Sequence, residues 1–512
     1  MKEKNLKTQG LENFLKSDFL DSIHKRDFEG YELVNKYPLN PPFSYANILY
    51  DKKTSGYLYK VDEIKLNYDE ERLRQRLYNL IELSLDSPEE SKMAEFEACL
   101  NEVIKKNQKE LQELSISSIE KAKYYLQRDI TGFGKIDALM HDPNLEDISC
   151  SGIGQPIYIW HREYDSIPTN IKFEREELNS FVSRIVFRAG KHISAAFPIS
   201  DLALEGNHRI SVLYQKEITP KGTSFTIRKF NKDPYTVIDL INFGTIDIYI
   251  AAYLWLLIES KMSIIVIGST GSGKTTTLNA ITGLVNPDYK LFSVEDVAEI
   301  NIIHDNWFSL ISRTGFGLKG EGEIGLYDLI KSGVRHRPDY IIVGEIRGSE
   351  AYVMFQAMAT GHGGLCTMHA DSLDSAAKRL QQKPMDIPPA YLPLMNCAII
   401  IRRVKDSVTG QSARKAVSIE EIKNPTTFKT VFSWNPKTDN FESYIGDSVL
   451  IERISHITGQ TIEEVLEEFD VRTRILKWMQ ENDIRGYKEV GEIVGKYYRK
   501  PKELMQKIEN GV

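Results

Sequence analysis

The pattern of hydrophobic and polar positions divides the chain into four stretches of different texture. The first, residues 1–115, is rich in lysine and glutamate, and the apolar positions of residues 70–81 recur at helical spacing. Prolines between positions 38 and 42, and the segment 50–56, interrupt this spacing. We therefore predict a helical N-terminal region over residues 1–115, and whether it binds a partner is left open.

Short β-rich segments distinguish the second stretch, residues 116–232. A helical segment, Glu176–Ala189, lies among them, and residues 229–235 have the composition of a linker. This mixture predicts an α/β domain that ends before the linker. The segments with the residue types of strands are Pro156–Trp160, Arg209–Leu213 and Ser224–Arg228.

The third stretch, residues 236–447, alternates apolar strands with helices. Ser263–Gly268 and Asp339–Gly344 are apolar along most of their length, which is typical of strands in a parallel sheet covered on both faces. The fourth stretch, residues 448–512, is predicted to be helical. There Thr461–Glu464 has the spacing of a capping box at a helix N-terminus.

The composition is that of a soluble globular protein with two or three domains. Hydrophobic residues make up 41% of the 512 residues and charged residues 27%. A formal net charge of −7 argues against nucleic-acid binding over the whole surface. The four cysteines form no C-x-x-C pair, so neither a zinc ribbon nor a disulfide framework is expected; they are Cys99, Cys150, Cys366 and Cys397.

Membrane-spanning and targeting segments are not predicted. Residues 1–26 are charged throughout and lack the apolar core of a signal peptide. The longest apolar run, Ile248–Ile258, is about half of the ~20 residues that a spanning helix needs. We therefore expect a cytoplasmic protein that reaches a membrane only through a partner.

The strongest chemical signal is a glycine-rich loop, GSTGSGKT at residues 268–275, between a strand and a helix. Glycines let backbone N–H groups wrap a phosphate, and the N-terminus of the helix adds partial positive charge. Lys274 is expected to reach the β- and γ-phosphates of ATP, and Thr275 to bind Mg²⁺. The alternative is an ordinary loop that binds no nucleotide. The candidate nucleotide-binding residues are Gly268, Ser269, Thr270, Gly271, Ser272, Gly273, Lys274, Thr275 and Thr276.

Acidic residues follow two further apolar strands. Glu345 follows Tyr340–Gly344, while Glu295 and Asp296 follow Leu291–Val294. Carboxylates at the C-terminal edge of parallel strands face the crevice where ligands bind. A nucleotide site needs such groups to hold the Mg²⁺ water shell and to orient the attacking water. Taken alone, each acid is equally well explained as a solvated turn residue, and the nearby phosphate loop favours the catalytic role.

Two longer runs resemble the secretion ATPases of type II and type IV machinery. They are RPDYIIVGEIRGSEA at residues 337–351 and TGHGGLCTMHAD at residues 360–371. With the phosphate loop and Val294–Asp296, they supply the four sequence boxes of that family in order. The resemblance covers residues 115–435 and is strongest to the archaeal branch. It implies a RecA-like P-loop ATPase domain, preceded by a smaller mixed α/β (PAS-like) domain, with helical N- and C-terminal regions.

The resemblance also implies roles for single residues. Glu295 would position the hydrolytic water, and Glu345 would act on Mg²⁺ through a water. His369 would sense the γ-phosphate side of the site, with His362 as the other histidine of its box. From the sequence alone, a histidine is more simply explained as a hydrogen-bonded core residue.

Arginines of the second stretch complete the implied site. Arg209 and Arg228 match family arginines that reach the phosphates when the two domains close, whereas the sequence alone also fits ordinary surface ion pairs. Further candidates at subunit contacts are Arg313, Arg337 and Arg347.

By this resemblance we expect a hexameric, ATP-hydrolysing motor that powers a type IV pilus-like or archaellum filament through a polytopic membrane platform protein. ATP and Mg²⁺ are its expected cofactors, and nucleic acid is not an expected partner. One alternative is a conjugation-type translocation ATPase, which the acidic charge balance disfavours. The other is an ATP-binding scaffold with little turnover, which the intact Lys274, Glu295 and Glu345 disfavour.

Overall fold

The computed structural model describes residues 30–84, 93–107, 115–216, 218–230, 233–302, 304–313, 322–405 and 412–509. Residues 1–26, the charged segment in which no signal peptide is predicted, therefore lie outside the described residues. Internal contacts divide the chain into two compact units, residues 1–230 and residues 231–512. Each unit contains one nine-stranded sheet.

The first unit packs its described helices beside a mostly antiparallel sheet with the strand order β1-β2-β3-β6-β5-β4-β9-β8-β7. The elements are β1 Tyr31–Asn40, β2 Ser44–Asp51, β3 Gly56–Glu63, α1 Tyr68–Glu82, α2 Met93–Lys106, α3 Ile116–Ile130, α4 Asp137–His141, β4 Leu145–Cys150, β5 Pro156–His161, β6 Asp165–Lys172, α5 Arg175–Arg188, β7 Ile199–Ala203, β8 Arg209–Leu213 and β9 Ser224–Arg228.

The prediction of helix throughout residues 1–115 is wrong for residues 31–63, which form the three strands β1, β2 and β3. The interruptions seen in the sequence are the two hairpin turns, at residues 41–43 and 52–55. Most of β2 is buried, and hydrogen-bonded partners flank it on both sides. Packing against neighbouring strands thus overrides the helix-favouring composition of the surrounding stretch. The helix predicted at residues 70–81 is confirmed as α1.

A buried polar network fastens the N-terminal strands to the rest of this unit. Asp142 is fully buried, and its Oδ2 accepts hydrogen bonds from the hydroxyls of Tyr37 at 2.7 Å and Tyr59 at 2.6 Å. The Tyr37 hydroxyl also lies 3.2 Å from Nε2 of the buried His161. Because a buried carboxylate is stable only with partners, Asp142 fixes the position of β1 and β3.

The second unit is an α/β domain with the strand order β12-β11-β13-β14-β10-β15-β16-β17-β18. Its elements are α6 Val237–Asn242, α7 Ile248–Glu259, β10 Ile264–Ile267, α8 Lys274–Thr282, β11 Leu291–Glu295, β12 Trp307–Ile311, α9 Leu326–Val334, β13 Tyr340–Val343, α10 Glu350–Ala359, β14 Gly363–Met368, α11 Leu373–Leu380, β15 Cys397–Lys405, β16 Ser412–Asn424, β17 Thr427–Asn435, β18 Asn440–Ser443, α12 Val449–Thr458, α13 Ile462–Glu481, α14 Tyr487–Arg499 and α15 Pro501–Glu509.

The prediction of a parallel sheet covered on both faces is confirmed. Strands from β12 to β15 in this order are parallel, and β10, β13 and β14 are buried at every residue. One apolar core contains residues of α7, α8 and the C-terminal helices, and a second contains residues of α9, α10 and α11. Among the described helices, none is long and apolar enough to cross a membrane.

The helices of residues 449–509 belong to the core of the second unit. Ile475, Leu476 and Met479 of α13 are fully buried in the same cluster as α7. The guanidinium of Arg472 is 2% exposed and pairs with Glu259 at the end of α7 and, at 2.9 Å, with Glu468. These ion pairs join α13 to the central helix of the core.

We predict that Arg472→Met lowers the free energy of unfolding of the second unit by about 2 kcal/mol. The substitution keeps the apolar stem but leaves Glu259 without its cation; the loss stays below the ~3–5 kcal/mol of a fully buried pair because Glu259 is 35% exposed. Urea unfolding followed by tryptophan fluorescence measures this, since four of the five tryptophans lie in this unit. The exposed Lys477→Met on the same helix is the control, and equal midpoints for the two variants would contradict the prediction.

Candidate nucleotide-binding site

The glycine-rich loop joins the buried strand β10 to the helix α8, at the carboxyl edge of the parallel strands. Its glycines meet strict steric limits. A Cβ at Gly268 would lie 2.4 Å from the carbonyl oxygen of Ile401, and Gly273, which precedes α8, has a φ of +95°. Only glycine fits both positions without strain. The loop therefore has the backbone geometry that fits a phosphate group at a helix N-terminus.

Lys274, His369 and Glu345 form a chain of contacts beside this loop. Lys274 is 8% exposed, and its ammonium donates to the carbonyl oxygen of Ser269 at 2.9 Å and lies 3.3 Å from Nδ1 of His369. Nε2 of His369 lies 3.2 Å from a carboxylate oxygen of Glu345. Three residues from three different strand ends thus meet at one place, as the sequence boxes imply.

Burial and neighbouring charges set the protonation of this chain. Burial lowers the pKa of Lys274, while the nearby Glu345 and Glu299 oppose the shift. Burial, followed by the positive charge of Lys274, lowers the pKa of His369, against the opposing effect of Glu345. His369 is therefore neutral at pH 7, accepts at Nδ1 from Lys274, and donates from Nε2 to Glu345.

Glu295, the last residue of β11, occupies a different environment from Glu345. It is 2% exposed, and its Oε1 accepts from the backbone N–H groups of Glu299 at 3.0 Å and Ile300 at 2.9 Å. Within the described part of the chain, its Oε2 has no hydrogen-bond partner. Burial raises the pKa of Glu295 to about 7, although the two backbone N–H groups oppose the shift. Glu295 can therefore exchange a proton near neutral pH.

The next acid, Asp296, makes a structural contact. It pairs with Arg347, and its Oδ1 accepts from the Ser312 hydroxyl at 3.0 Å. Arg347 is one of the arginines predicted at subunit contacts, and in this unit it bridges the segments that follow β11 and β13.

Thr275, the residue predicted to bind Mg²⁺, lies in the first turn of α8 and is partly exposed. Within the described ranges, no group of three or more His, Cys, Asp or Glu side chains is arranged to hold a metal ion.

The remaining predicted residues lie elsewhere. Arg209 and Arg228 stand directly opposite each other on β8 and β9 of the first unit, and Arg228 is paired with Asp147 at 3.4 Å.

The two histidines of the predicted box lie at opposite ends of one strand. His362 precedes β14, whereas His369 follows it, so about 20 Å of strand separates them. Nδ1 of His362 lies 3.0 Å from the carbonyl oxygen of Ala357. The structure therefore does not place His362 beside Lys274. Arg313 and Arg337 also lie outside the Lys274 contacts.

Two arginines of the site carry no sequence signal. Nη1 of Arg379, on α11, donates to the carbonyl oxygen of His369 at 2.7 Å. Nε of Arg414, on β16, donates to the carbonyl oxygen of Gly271 at 3.2 Å. Neither arginine belongs to a recognisable motif, and only the folded chain brings Arg379 to His369 and Arg414 to the loop.

We predict that Glu295→Gln changes the pH dependence of stability. A carboxyl pKa raised from its ordinary 4.5 to about 7 makes the folded protein bind the proton more tightly than the unfolded chain. The free energy of unfolding of the wild type therefore falls, relative to the variant, as the pH rises from 4.5 to 7, by at most about 3 kcal/mol, and levels off above that. Urea midpoints between pH 4.5 and pH 8 test this.

The exposed Glu452→Gln is the control for this prediction, and its difference from the wild type should not vary with pH in the same window. A constant difference between wild type and Glu295→Gln would show that the side chain is not held in a desolvated site.

Two family profiles match the chain. The one described as type II/IV secretion system protein matches residues 162–436, and the one described as PilB3-like, N-terminal, matches residues 19–63. The second match covers β1, β2 and β3, a region where sequence reasoning found no motif.

Similar proteins come from archaea and bacteria. The uncharacterized protein MJ0900 of Methanocaldococcus jannaschii is 38% identical over 393 residues, which are 74% of this chain and 70% of that protein. The uncharacterized protein MJ1287 of the same organism is 42% identical over 245 residues, 47% of this chain and 89% of that protein. The conjugal transfer protein TrbB of Rhizobium radiobacter is 32% identical over 238 residues, 45% of this chain and 69% of TrbB.

Among solved structures, the X-ray structure of the Legionella pneumophila ATPase DotB has a TM-score of 0.42 and 17% identity, over 71% of this chain and 95% of DotB. The first profile spans more than half of the chain, and it contains the loop, the strand-end acids and His369. The chain belongs to the type II/IV secretion system ATPase family.

Proposed function

We propose that this protein hydrolyses ATP to power the assembly or secretion of a type IV pilus-like or archaellum filament. The observation that supports this best is the meeting of Lys274, His369 and Glu345 beside a loop shaped for phosphate. Phosphoryl transfer requires mainly alignment and charge stabilisation, and these three groups can supply both at one end of a bound triphosphate.

Each side chain then has a task. Lys274 stabilises the β- and γ-phosphates, and Thr275 with Glu345 would hold Mg²⁺, the latter through a water. Mg²⁺ in such a site is bound largely by phosphate oxygens and water, so a dense protein ligand cluster is not required. His369 contacts both Lys274 and Glu345, and so links the group that binds the phosphates to the group that would hold Mg²⁺.

Glu295 is suited to the attacking water. Its Oε1 is fixed by two backbone N–H groups, whereas its buried Oε2 is left to bind another group. With a pKa of about 7, it can orient a water and also accept its proton at neutral pH. In this proposal Glu295 positions the nucleophile, and Glu345 serves the metal.

Arginines of the first unit would complete the site from outside. Arg209 and Arg228 lie side by side on neighbouring strands, so they present two guanidinium groups on one face of their sheet. Such groups neutralise the charge that develops on the γ-phosphoryl group.

The proposed assembly is a cytoplasmic hexamer that acts peripherally on a polytopic membrane platform protein. The match of residues 19–63 to the PilB3-like profile supports filament assembly. A conjugation-type translocation ATPase is the second candidate, because TrbB is named a conjugal transfer protein. The formal net charge of −7 disfavours nucleic acid as a partner, so the filament role is preferred. Stimulation of turnover by DNA would favour the second candidate.

We predict that Lys274→Ala abolishes Mg²⁺-dependent ATP hydrolysis, since the ammonium that stabilises the γ-phosphate is lost. Wild-type turnover per chain should rise cooperatively with protein concentration, because sites shared between subunits form only in the ring. Steady-state phosphate release over a concentration series measures both. Turnover that does not depend on concentration would contradict the hexamer, and equal activity of wild type and variant would contradict the site.

We predict that Arg228→Ala lowers kcat by about 10³-fold while ATP binding changes little, as removal of an arginine finger does. The exposed Arg175→Ala, also in the first unit, is the matched control and should keep wild-type kcat. Single-turnover hydrolysis with separate measurement of the ATP Kd tests this. A kcat of Arg228→Ala within twofold of wild type would show that the arginine serves only its pair with Asp147.

A further inference from the structure

Arg414 lies against the phosphate loop on the flank opposite to His369. In the sheet order, β14 with His369 adjoins β10 on one side, while β15 and β16 follow on the other. Nε of Arg414 donates to the carbonyl oxygen of Gly271 at 3.2 Å. A Cβ built on Gly273 would lie 3.1 Å from Cδ of Arg414, so the stem of the arginine packs closely on the loop backbone.

The direction of a bound nucleotide follows from the strand order. The reacting phosphate must lie toward β14 and β13, because Lys274 contacts His369 and His369 contacts Glu345 on that side. Neighbouring strands are only about 5 Å apart, so a nucleoside triphosphate extends beyond the strand that carries its loop. With the phosphates in the loop and the γ-phosphate toward β14, the nucleoside points toward β15 and β16.

The surroundings of β16 suit a nucleoside. The backbone N–H of Ala416 donates to the carbonyl oxygen of Thr245 at 2.8 Å, which places the segment that follows α6 along this strand. In that segment Phe243 is 53% exposed and forms an edge-to-face pair with Tyr235 at 5.1 Å between ring centres. Aromatic faces and a planar guanidinium are the groups on which a base stacks.

We propose that the guanidinium of Arg414 contacts the ribose and base of the bound nucleotide and so fixes the nucleoside end of the site. This inference rests on the proposed function of the loop as an ATP site. It adds a binding residue that acts on the nucleoside, whereas Lys274 and Thr275 act on the phosphates. Arg414 is thus a specificity residue that distinguishes a nucleotide from a bare polyphosphate.

Calorimetric titration of ADP and of inorganic tripolyphosphate, each with Mg²⁺, tests this proposal. Arg414→Ala should raise the Kd of ADP about tenfold, the size of a lost stacking and cation–π contact, and leave the Kd of tripolyphosphate within about twofold of wild type. Arg414→Lys keeps the positive charge but lacks the planar guanidinium, so its Kd for ADP should lie between those of wild type and Arg414→Ala. Unchanged tripolyphosphate binding also shows that the loop is still folded.

Two results would overturn the proposal. Equal weakening of both ligands would mean that Arg414 supports the loop or the phosphates, and an unchanged Kd for both would mean that it contacts neither. The exposed Arg453→Ala on α12 is the matched control and should bind both ligands as wild type does. Lys274→Ala separates the two claims: if it binds both ligands like wild type, the nucleotide site itself fails, whatever Arg414→Ala does.

Discussion

The rest of the site depends on the burial of one cation, the side chain of Lys274. At 8% exposure, Lys274 has lost most of its water, and within the described ranges its ammonium contacts the Ser269 carbonyl and the His369 ring. A desolvated cation is stable only where negative charge or oriented dipoles compensate it. The loop that holds it is built on glycines and ends at a helix N-terminus, which adds further positive potential. Such a site is complementary to a polyphosphate anion.

The same cation orders the groups around it. Lys274 can only donate, so Nδ1 of His369 accepts and Nε2 carries the proton toward Glu345. The sheet requires these groups to gather at one edge, because β10, β13 and β14 are buried along their whole length. The charged side chains of the site then lie at or beyond the strand ends, and parallel strands bring those ends to a common edge. The burial of the sheet thus determines where its chemistry lies.

The sequence predicts those parts of the fold that local pattern determines. Apolar strands such as β10, the glycine loop and the acids after β11 and β13 are adjacent in sequence to the features that define them. The N-terminal strands are mispredicted because the local pattern shows neither of the contacts that hold them: the hairpin pairing of β1 with β2 and of β2 with β3, and the pairing of β3 with β6 through Tyr59 and Thr169, more than a hundred residues apart. Arg414 was missed for the same reason, since it meets Gly271 from another strand. Local spacing also could not show that six residues of strand keep His362 away from His369.

The two acids of the site illustrate how one fold gives like groups different tasks. Glu345 is 38% exposed and faces His369, so solvent and a hydrogen-bond donor support its negative charge. Glu295 is 2% exposed, and two backbone N–H groups offset only part of the cost of burial. In the proposed function, the partly exposed Glu345 suits a metal-bound water, whereas Glu295, whose pKa burial raises to about 7, suits the attacking water.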